Sequence, residues 1–495
     1  MTTPSESRIP NPESRLAERI RQRGPLTVAA FMELALYDPE LGYYARAAQR
    51  SGRAGDFFTS VDIGPLFGEL LEVQIEEMFR LLAAESGLGA ELARPFDLVE
   101  AGAGNARLST DILRAATREH PDFYARIRLH LVEASAAARG AQRAMLAEVA
   151  DRLISSESWL PASFEGMLVA NELLDALPVH QVVMRTDGLR EIYVSHQSSV
   201  IEPQSPVISP QSAVGDQQSS RPTTDDARPT TDDWRLTTVE GPPSTPALAE
   251  YLDRIAARLE PGWRVEVNLR AVEWIRDAAR RLRRGFIIVI DYGHEARVLY
   301  SASHSAGTLT TFYGHHSAGS ELRPDAPAWM QSAGGQDITA HVDFTSVRRA
   351  AEAEGLTTLG FLDQTYFLLG LLQSDDRLRR TFLHARETSA RGSSERDGTS
   401  EASGGGTPRA LKNAGSSASG SLEPLRGANA PSSSVGDGIP AAMEKSTARA
   451  DLKRNAALRT LLMPGGLGSS HKVLILGKNV GTPSLMGCSY RMRVT

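Results

Sequence analysis

A single cysteine, Cys488, stands in 495 residues. One cysteine excludes an intrachain disulfide and any zinc site built on cysteine pairs. Long apolar runs are missing too. The run FIIVI at 286–290 suits a strand and falls far short of the roughly 18 residues that a spanning helix needs. There is no basic excess: 54 Lys and Arg face 60 Asp and Glu, a net charge of -6. No positive field therefore points to nucleic acid or an anionic membrane surface. The N-terminal stretch MTTPSESRIPNPESRLAERIRQRG has no apolar core of a secretory signal. It also carries Glu6, Glu13 and Glu18, unlike an acid-poor transit peptide. These absences lead to the expectation of a cytoplasmic protein with no membrane span and no nucleic-acid partner. What is present is a 41% hydrophobic composition, enough for a sizeable core.

From residue 96 onward, apolar strands alternate with amphipathic helices. FDLVEAG (96–102), IRLHLVEAS (127–135), GMLVANE (166–172) and GFIIVIDYG (285–293) read as strands. Helices are predicted over 106–119, 137–153, 245–260 and 271–283, with a short helical segment after Glu172. This pattern predicts an α/β fold, a Rossmann-like and mostly parallel sheet wound on both faces. VHQVVMR and REIYVS flank Asp187-Gly188, a good hairpin turn and an inserted or edge element. Before the sheet, 14–35 reads as two helices, 37–63 as a loop-like lid and 65–85 as an amphipathic helix led by Pro65. Two tracts lack the apolar periodicity that would offset the entropy of ordering: 196–232, with its repeated RPTTDD, and the Ser/Gly-rich 388–449. The chain thus divides into an N-terminal helical and lid region (1–95), a core (96–387) with one disordered insertion, a second insertion (388–449), and a C-terminal completion (450–495).

Chemistry concentrates where strands end. Glu100 closes the first strand, and the turn Gly102-Ala103-Gly104 leads straight into a helix. Glycine lets the backbone approach a ligand without a Cβ in the way. A dinucleotide fold would place pyrophosphate on that helix N-terminus, and an acid before the glycines opposes it. Arg107 also replaces the third glycine of G-x-G-x-x-G. S-adenosylmethionine carries no phosphate, and its cationic end suits a nearby carboxylate. Glu133 ends the second strand, where an acid binds ribose hydroxyls. Asn171 and Glu172 end the third, in the crevice where open sheets bind ligands. Asp175 lies three residues on, so a helical turn would place it on one face with Glu172. Two carboxylates could hold a guanidinium and take its proton. Structural readings stand beside these: a plain glycine turn, a solvated acid at Glu133, a helix cap at Asn171. His180, His341 and Asp343 and the pair His315-His316 draw attention, but no second histidine lies at ligand spacing near DITAHVDFTS. Hydrogen-bonded structural histidines, and no metal site, are expected.

Several blocks together resemble the MidA-like methyltransferases, a class I S-adenosylmethionine-dependent family that includes a mitochondrial complex I assembly factor methylating protein arginine. They are PLTVAAFMELALYDPELGYYA, GDFFTSVDIGPLFGELL, LVEAGAGNARLSTDILR, HLVEAS, VANELLDALPVHQ, GFIIVIDYG, GGQDITAHVDFTSV and LLMPGGLGSSHKVLILGK, in order from about residue 25 to 478. The resemblance implies S-adenosyl-L-methionine as cofactor and a protein side chain as acceptor, arginine by analogy, with a respiratory complex I subunit as the candidate protein. It adds Thr59 and Ser60 to the cofactor residues Glu100, Gly102, Gly104 and Glu133, with Glu172, Asn171 and Asp175 as the catalytic group. One departure bears on the acceptor: TLTTFYGHHSAG lacks the arginines the family carries after its DYG strand. Two other readings stay open, a non-catalytic cofactor-binding assembly factor and an NAD(P)-dependent oxidoreductase.

Overall fold

The computed structural model describes residues 12–45, 59–85, 94–197, 235–313, 316–319, 327–374, 453–454, 456–462 and 467–490. Both tracts expected to be disordered lie outside them, apart from His196 and Gln197, as does 46–58 of the expected lid. Met1–Asp375 and Ala457–Thr495 form one compact unit, described here.

The unit opens on helices α1 (Pro12–Arg23), α2 (Val28–Tyr37) and α3 (Leu66–Glu85). Thr27 caps α2 through its side chain, which accepts a hydrogen bond from the amide of Ala30 at 3.1 Å. The apolar residues expected on the buried face of α3, Leu66, Leu70, Val73 and Phe79, are buried. So are Ile75 and Met78, so the helix is covered on more than one side.

Seven strands build the main sheet. In chain order they are β1 (Phe96–Ala101), β2 (Ile127–Val132), β3 (Leu153–Glu157), β4 (Phe164–Asn171), β5 (Leu282–His294), β6 (Thr357–Asp363) and β7 (His471–Lys478). Their order across the sheet is β6-β7-β5-β4-β1-β2-β3, with the short Val342–Asp343 strand paired to the end of β5. From β5 to β3 every pair is parallel, and β7 runs antiparallel to both of its neighbours. Helices α4 (Arg107–Glu119), α5 (Ala136–Leu146), α6 (Leu269–Arg281), α7 (Phe344–Ala353) and α8 (Gln364–Ser374) accompany the strands. This is the expected Rossmann-like α/β class. Strands buried on both faces read as continuous apolar runs, and Phe286 to Ile290 in β5 have no exposure at all. The strand order reverses between β1 and β4, where an open sheet leaves a crevice at the carboxyl ends.

The hairpin belongs to a second, antiparallel sheet of five strands: Leu26–Thr27, Gly188–Gln197, His180–Arg185, Arg264–Val267 and Arg235–Gly241. Helix α2 packs against it, sharing a core with Val183, Ile192 and Trp329. Gln197 pairs with Arg235, so the repeat-bearing tract joins two neighbouring strands. Loop-closure cost grows only logarithmically, which lets a long insertion sit there.

Three local expectations fail. The helix predicted over 137–153 stops at Leu146, and an edge strand, β3, follows a 3-10 turn. LISSE is half exposed and carries no apolar alternation to mark it. The helix predicted over 245–260 spans only Ala247–Arg254, and Ala256 just beyond it takes φ 55°. The segment after Glu172 is a turn. Among the described residues no helix is long and apolar enough to cross a membrane.

Candidate active site

A cavity of about 390 Å³ opens at the carboxyl ends of β1, β2 and β4. That volume lies within the range of about 300–1,000 Å³ usual for small-molecule sites. The glycine turn forms its floor. Gly102 and Ala103 donate their amides to the Val132 carbonyl at 2.9 and 3.1 Å, which ties the turn to β2. Gly104 has φ 49°, and a Cβ there would meet nothing within 4 Å on the protein side. The backbone is therefore bare toward the cavity. Gln142 holds the turn from behind, donating to the Gly104 carbonyl at 2.8 Å.

Two carboxylates flank this floor. Glu133 accepts from the amide of Gly104 at 2.8 Å and from that of Ser135 at 2.7 Å, and it lines the cavity. Each oxygen keeps a lone pair for a ligand hydroxyl. Glu100 also lines the cavity but is 5% exposed, and its Oε2 accepts from the amide and hydroxyl of Ser109. Burial pushes its carboxyl up to about 7, against the pull of the Ser109 bonds, with the Glu133 charge adding to the rise.

On the β4 side, Asn171 and Glu172 line the cavity. Glu172 has φ 51°, a left-handed conformation that costs a non-glycine residue about 1–3 kcal/mol. Its amide donates to the Ile290 carbonyl at 2.8 Å, holding the side chain at the mouth of the crevice. Three groups converge on one oxygen, Oε1: the Ser60 amide at 3.4 Å, Asn171 Nδ2 at 3.3 Å and His471 Nε2 at 3.4 Å. Among the described residues none falls on Oε2. Asn171 Oδ1 is buried and has no hydrogen-bond partner among them.

Two predicted residues sit elsewhere. Ser60 is fully buried behind the cavity wall, bonded to Gln364, and reaches the site only through Glu172. Asp175 shares no helical face with Glu172, because the intervening segment is a turn. It is buried against Asp291, which accepts from the Leu173, Leu174 and Tyr292 amides. Burial, then the charges of Asp291 and Glu172, hold Asp175 well above the usual carboxylate range. Asp175 and Asp291 together brace the base of the turn.

Thr59 stands at the rim. Its amide and hydroxyl donate to Asp62 at 3.1 and 3.0 Å, and Asp62 pairs with Arg107 at 3.1 Å. The position of the missing third glycine thus links the 59–63 segment to α4. Reasoning from the sequence missed Tyr37 and Tyr44 on the cavity wall, anchored to the Ala176 carbonyl at 3.0 Å and to Asp337 at 2.8 Å. It also missed His471 behind Glu172. All three lie in the resembling blocks, but nothing local marks them as site residues.

The histidines divide. His180 bonds to Glu191 at 2.7 Å, the structural role expected of it. Asp343 caps α7. His341 is different: its Nδ1 is buried with no hydrogen-bond partner among the described residues, and it meets His294 and His304 in one cluster. Burial first, then those two rings, push His341 down to about 4. His315 lies outside the described residues, and only the backbone of His316 is described.

The donor set fits S-adenosylmethionine. Bare glycine backbone and Glu133 suit a nucleoside. Glu100, Glu133 and Glu172 make an acidic lining, and Arg107, the cation beside them, is already paired with Asp62. Such a lining favours a sulfonium and an ammonium over a pyrophosphate.

Comparisons with known proteins agree. Residues 70–362 match the family model for S-adenosyl-L-methionine-dependent methyltransferases. A mouse protein named mitochondrial protein arginine methyltransferase NDUFAF7 is 30% identical over 413 residues, 78% of this chain and 80% of its own. The human protein of that name is 28% identical over 416 residues, 78% of this chain and 79% of its own. A crystal structure of a Burkholderia thailandensis protein bound to S-adenosyl-homocysteine shares the fold, with a TM-score of 0.65 at 22% identity over 97% of each chain. The expectation of a cytoplasmic protein is overturned, because the mouse, fly and human relatives are all named as mitochondrial. Cysteine count and the lack of an apolar N-terminal run do not distinguish one reducing compartment from another. Strand order, the glycine floor between two carboxylates, the family match and the length of the shared sequence converge: the chain belongs to the S-adenosyl-L-methionine-dependent methyltransferases.

Proposed function

We propose that the chain transfers a methyl group to a protein side chain, an arginine, with Glu172 and Asn171 orienting the acceptor. The observation that carries this reading is a pair of acceptor atoms on residues that line the cavity, Glu172 Oε2 and the buried Asn171 Oδ1, which have no hydrogen-bond partner among the described residues. A guanidinium offers only donors, in a planar fork. The relatives' printed names, protein arginine methyltransferase, support the same acceptor.

S-adenosylmethionine supplies an electrophilic sulfonium methyl group in this cavity. Gly102, Gly104 and Glu133 would hold its nucleoside, with Glu100 and Thr59 at its other edges. Asn171 would fix one face of the guanidinium. Glu172, held through Oε1 by Ser60, Asn171 and His471, would use Oε2 to orient the attacking nitrogen and take its proton. A positioned base contributes about 10²–10⁴-fold, and alignment can supply about 7–11 kcal/mol.

The test is methyl transfer from labelled cofactor into protein, read as methylarginine after hydrolysis, for wild type and Glu172→Gln. A respiratory complex I subunit, which the resemblance suggests, is the first protein to offer. The variant is expected to lose about 100-fold in kcat, the low end of a base's contribution, with a much smaller loss of cofactor affinity, since one of the three lining carboxylates is neutralised. Equal labelling by the variant would refute the role of Glu172. Cofactor binding with no transfer to any protein would favour a non-catalytic assembly factor. Tighter binding of NADH than of S-adenosylmethionine would favour an oxidoreductase.

A further inference from the structure

We propose that His294, His304 and His341 form a binding site for one divalent transition-metal ion of the zinc class, separate from the methyl-transfer cavity. The three rings come from three separate segments: the last residue of β5, the 3-10 turn Ala302–His304, and the bend between Asp337–Thr339 and Val342–Asp343. Each offers a ring nitrogen, and those nitrogens lie within 4.8 Å of one another. Ring centroids are 5.1, 5.5 and 5.9 Å apart. Among the described residues no hydrogen bond joins any two of the rings.

Their remaining bonds suit ligation. His304 Nδ1 lies 3.1 Å from the Val298 carbonyl and 3.1 Å from Ser303 Oγ. A proton on Nδ1 leaves Nε2 with its lone pair, the outer-shell arrangement that orients metal-binding histidines. His341 Nδ1 is a buried polar atom with no partner among the described residues. Such an atom is costly unless something satisfies it.

The backbones are held independently of any ion. Gly293 and His294 pair with Val342 and Asp343. The His304 amide donates to the Ser301 carbonyl at 3.0 Å, and the His341 amide donates to Thr308 Oγ1 at 3.0 Å. Zinc–nitrogen bonds of about 2.0–2.1 Å put tetrahedral ligand nitrogens about 3.3 Å apart. Drawing a 4.8 Å triangle in to that size moves each nitrogen by less than about 1 Å, within side-chain adjustment. Three imidazoles and no carboxylate suit zinc, cobalt, nickel or copper and do not suit magnesium or calcium, which take oxygen ligands. The fourth position is left for water or a ligand atom. An ion there would tie together three segments beside the end of β5, two residues beyond the Asp291-Tyr292 pair.

The full chain, stripped with a chelator and dialysed against zinc, is expected to retain one zinc per chain by atomic emission. His304→Ala and His341→Ala should retain only a small fraction, and His196→Ala, remote in sequence, should retain it all. Cobalt in place of zinc should give the intense visible bands of a four-coordinate ion in wild type, lost in both cluster variants. A wild type that holds no zinc, or uptake equal in wild type and both variants, would overturn the site. If the variants fail to fold by circular dichroism, the wild-type cobalt spectrum decides alone: weak six-coordinate bands or none would overturn it.

Discussion

Replacing Glu100 by glutamine should stabilise the folded chain in mild alkali and leave it nearly unchanged in mild acid. The carboxyl ordinarily titrates at 4.5, and burial moves it to about 7 in the folded state. A folded-state value above the unfolded one means that the folded chain prefers the protonated form. The contribution to stability is then full below pH 4.5 and is lost as pH rises through about 7. At about 1.4 kcal/mol per pH unit, the difference amounts to about 3 kcal/mol by about pH 8, an order-of-magnitude figure. Glutamine stays neutral throughout, and its side-chain oxygen can still accept from the Ser109 amide. Urea unfolding of the full chain at about pH 5 and about pH 8 reads the effect directly. Wild type should lose stability between the two, and Glu100→Gln should lose less by up to that amount. A variant that is less stable at both values by the same margin would refute the reasoning, because the carboxylate would then be a net stabiliser of α4. The same substitution tests what the retained charge is for. A cation bound nearby draws the carboxyl back down, so S-adenosylmethionine should bind the variant about 10-fold more weakly at the higher pH, a loss of about 1.4 kcal/mol, by calorimetry.

Two glycines offer sharper steric tests. Gly104→Leu meets nothing of the protein within 4 Å of its Cβ, and its φ of 49° costs about 1–3 kcal/mol of stability, so it should fold with that loss and lose cofactor binding because the side chain fills the cavity floor. Retained affinity in calorimetry would place the nucleoside elsewhere. Gly285 has φ 134°, and its Cβ would sit 1.9 Å from the Gly166 carbonyl in the paired strand. Gly285→Ala should therefore cost about 3 kcal/mol or more in urea unfolding, among the larger effects for one methyl group. A loss below about 1 kcal/mol would mean that β4 and β5 separate there without difficulty.

The parts of the fold that could be read from the chain are those whose signal is local. β1, β4 and β5 are buried on both faces, so their apolar runs announce them without a partner, and β2 shows itself by alternation, with Ile127, Leu129 and Leu131 buried and Arg128 exposed. The hairpin turns at Thr186-Asp187, one residue earlier than the expected Asp187-Gly188, and Gly188, with φ 126°, opens the second strand. The acids at the strand ends follow from where a strand must stop. β3 and β6 lie at the sheet edges, where a strand can be half exposed and needs no apolar alternation. The turn after Glu172 defeats the three-residue helical spacing, because Asp291 takes the Leu173 and Leu174 amides. That competition comes from a strand more than a hundred residues away.

The class of fold and the cofactor were legible in the chain, and so were five residues that line the cavity: Glu100, Gly104, Glu133, Asn171 and Glu172 each sit at the end of a strand or in the turn beside it. Tertiary structure alone decided which of the other candidates reach the cavity. Ser60 became the support of Glu172, and Asp175 became the buried neighbour of Asp291. It also made one cluster of His294, His304 and His341, which no spacing in the chain suggests. The physical reason is common to all of them. A strand end is a local event, whereas a cluster of rings or a buried carboxyl pair depends on which separate segments the fold brings within a few ångströms.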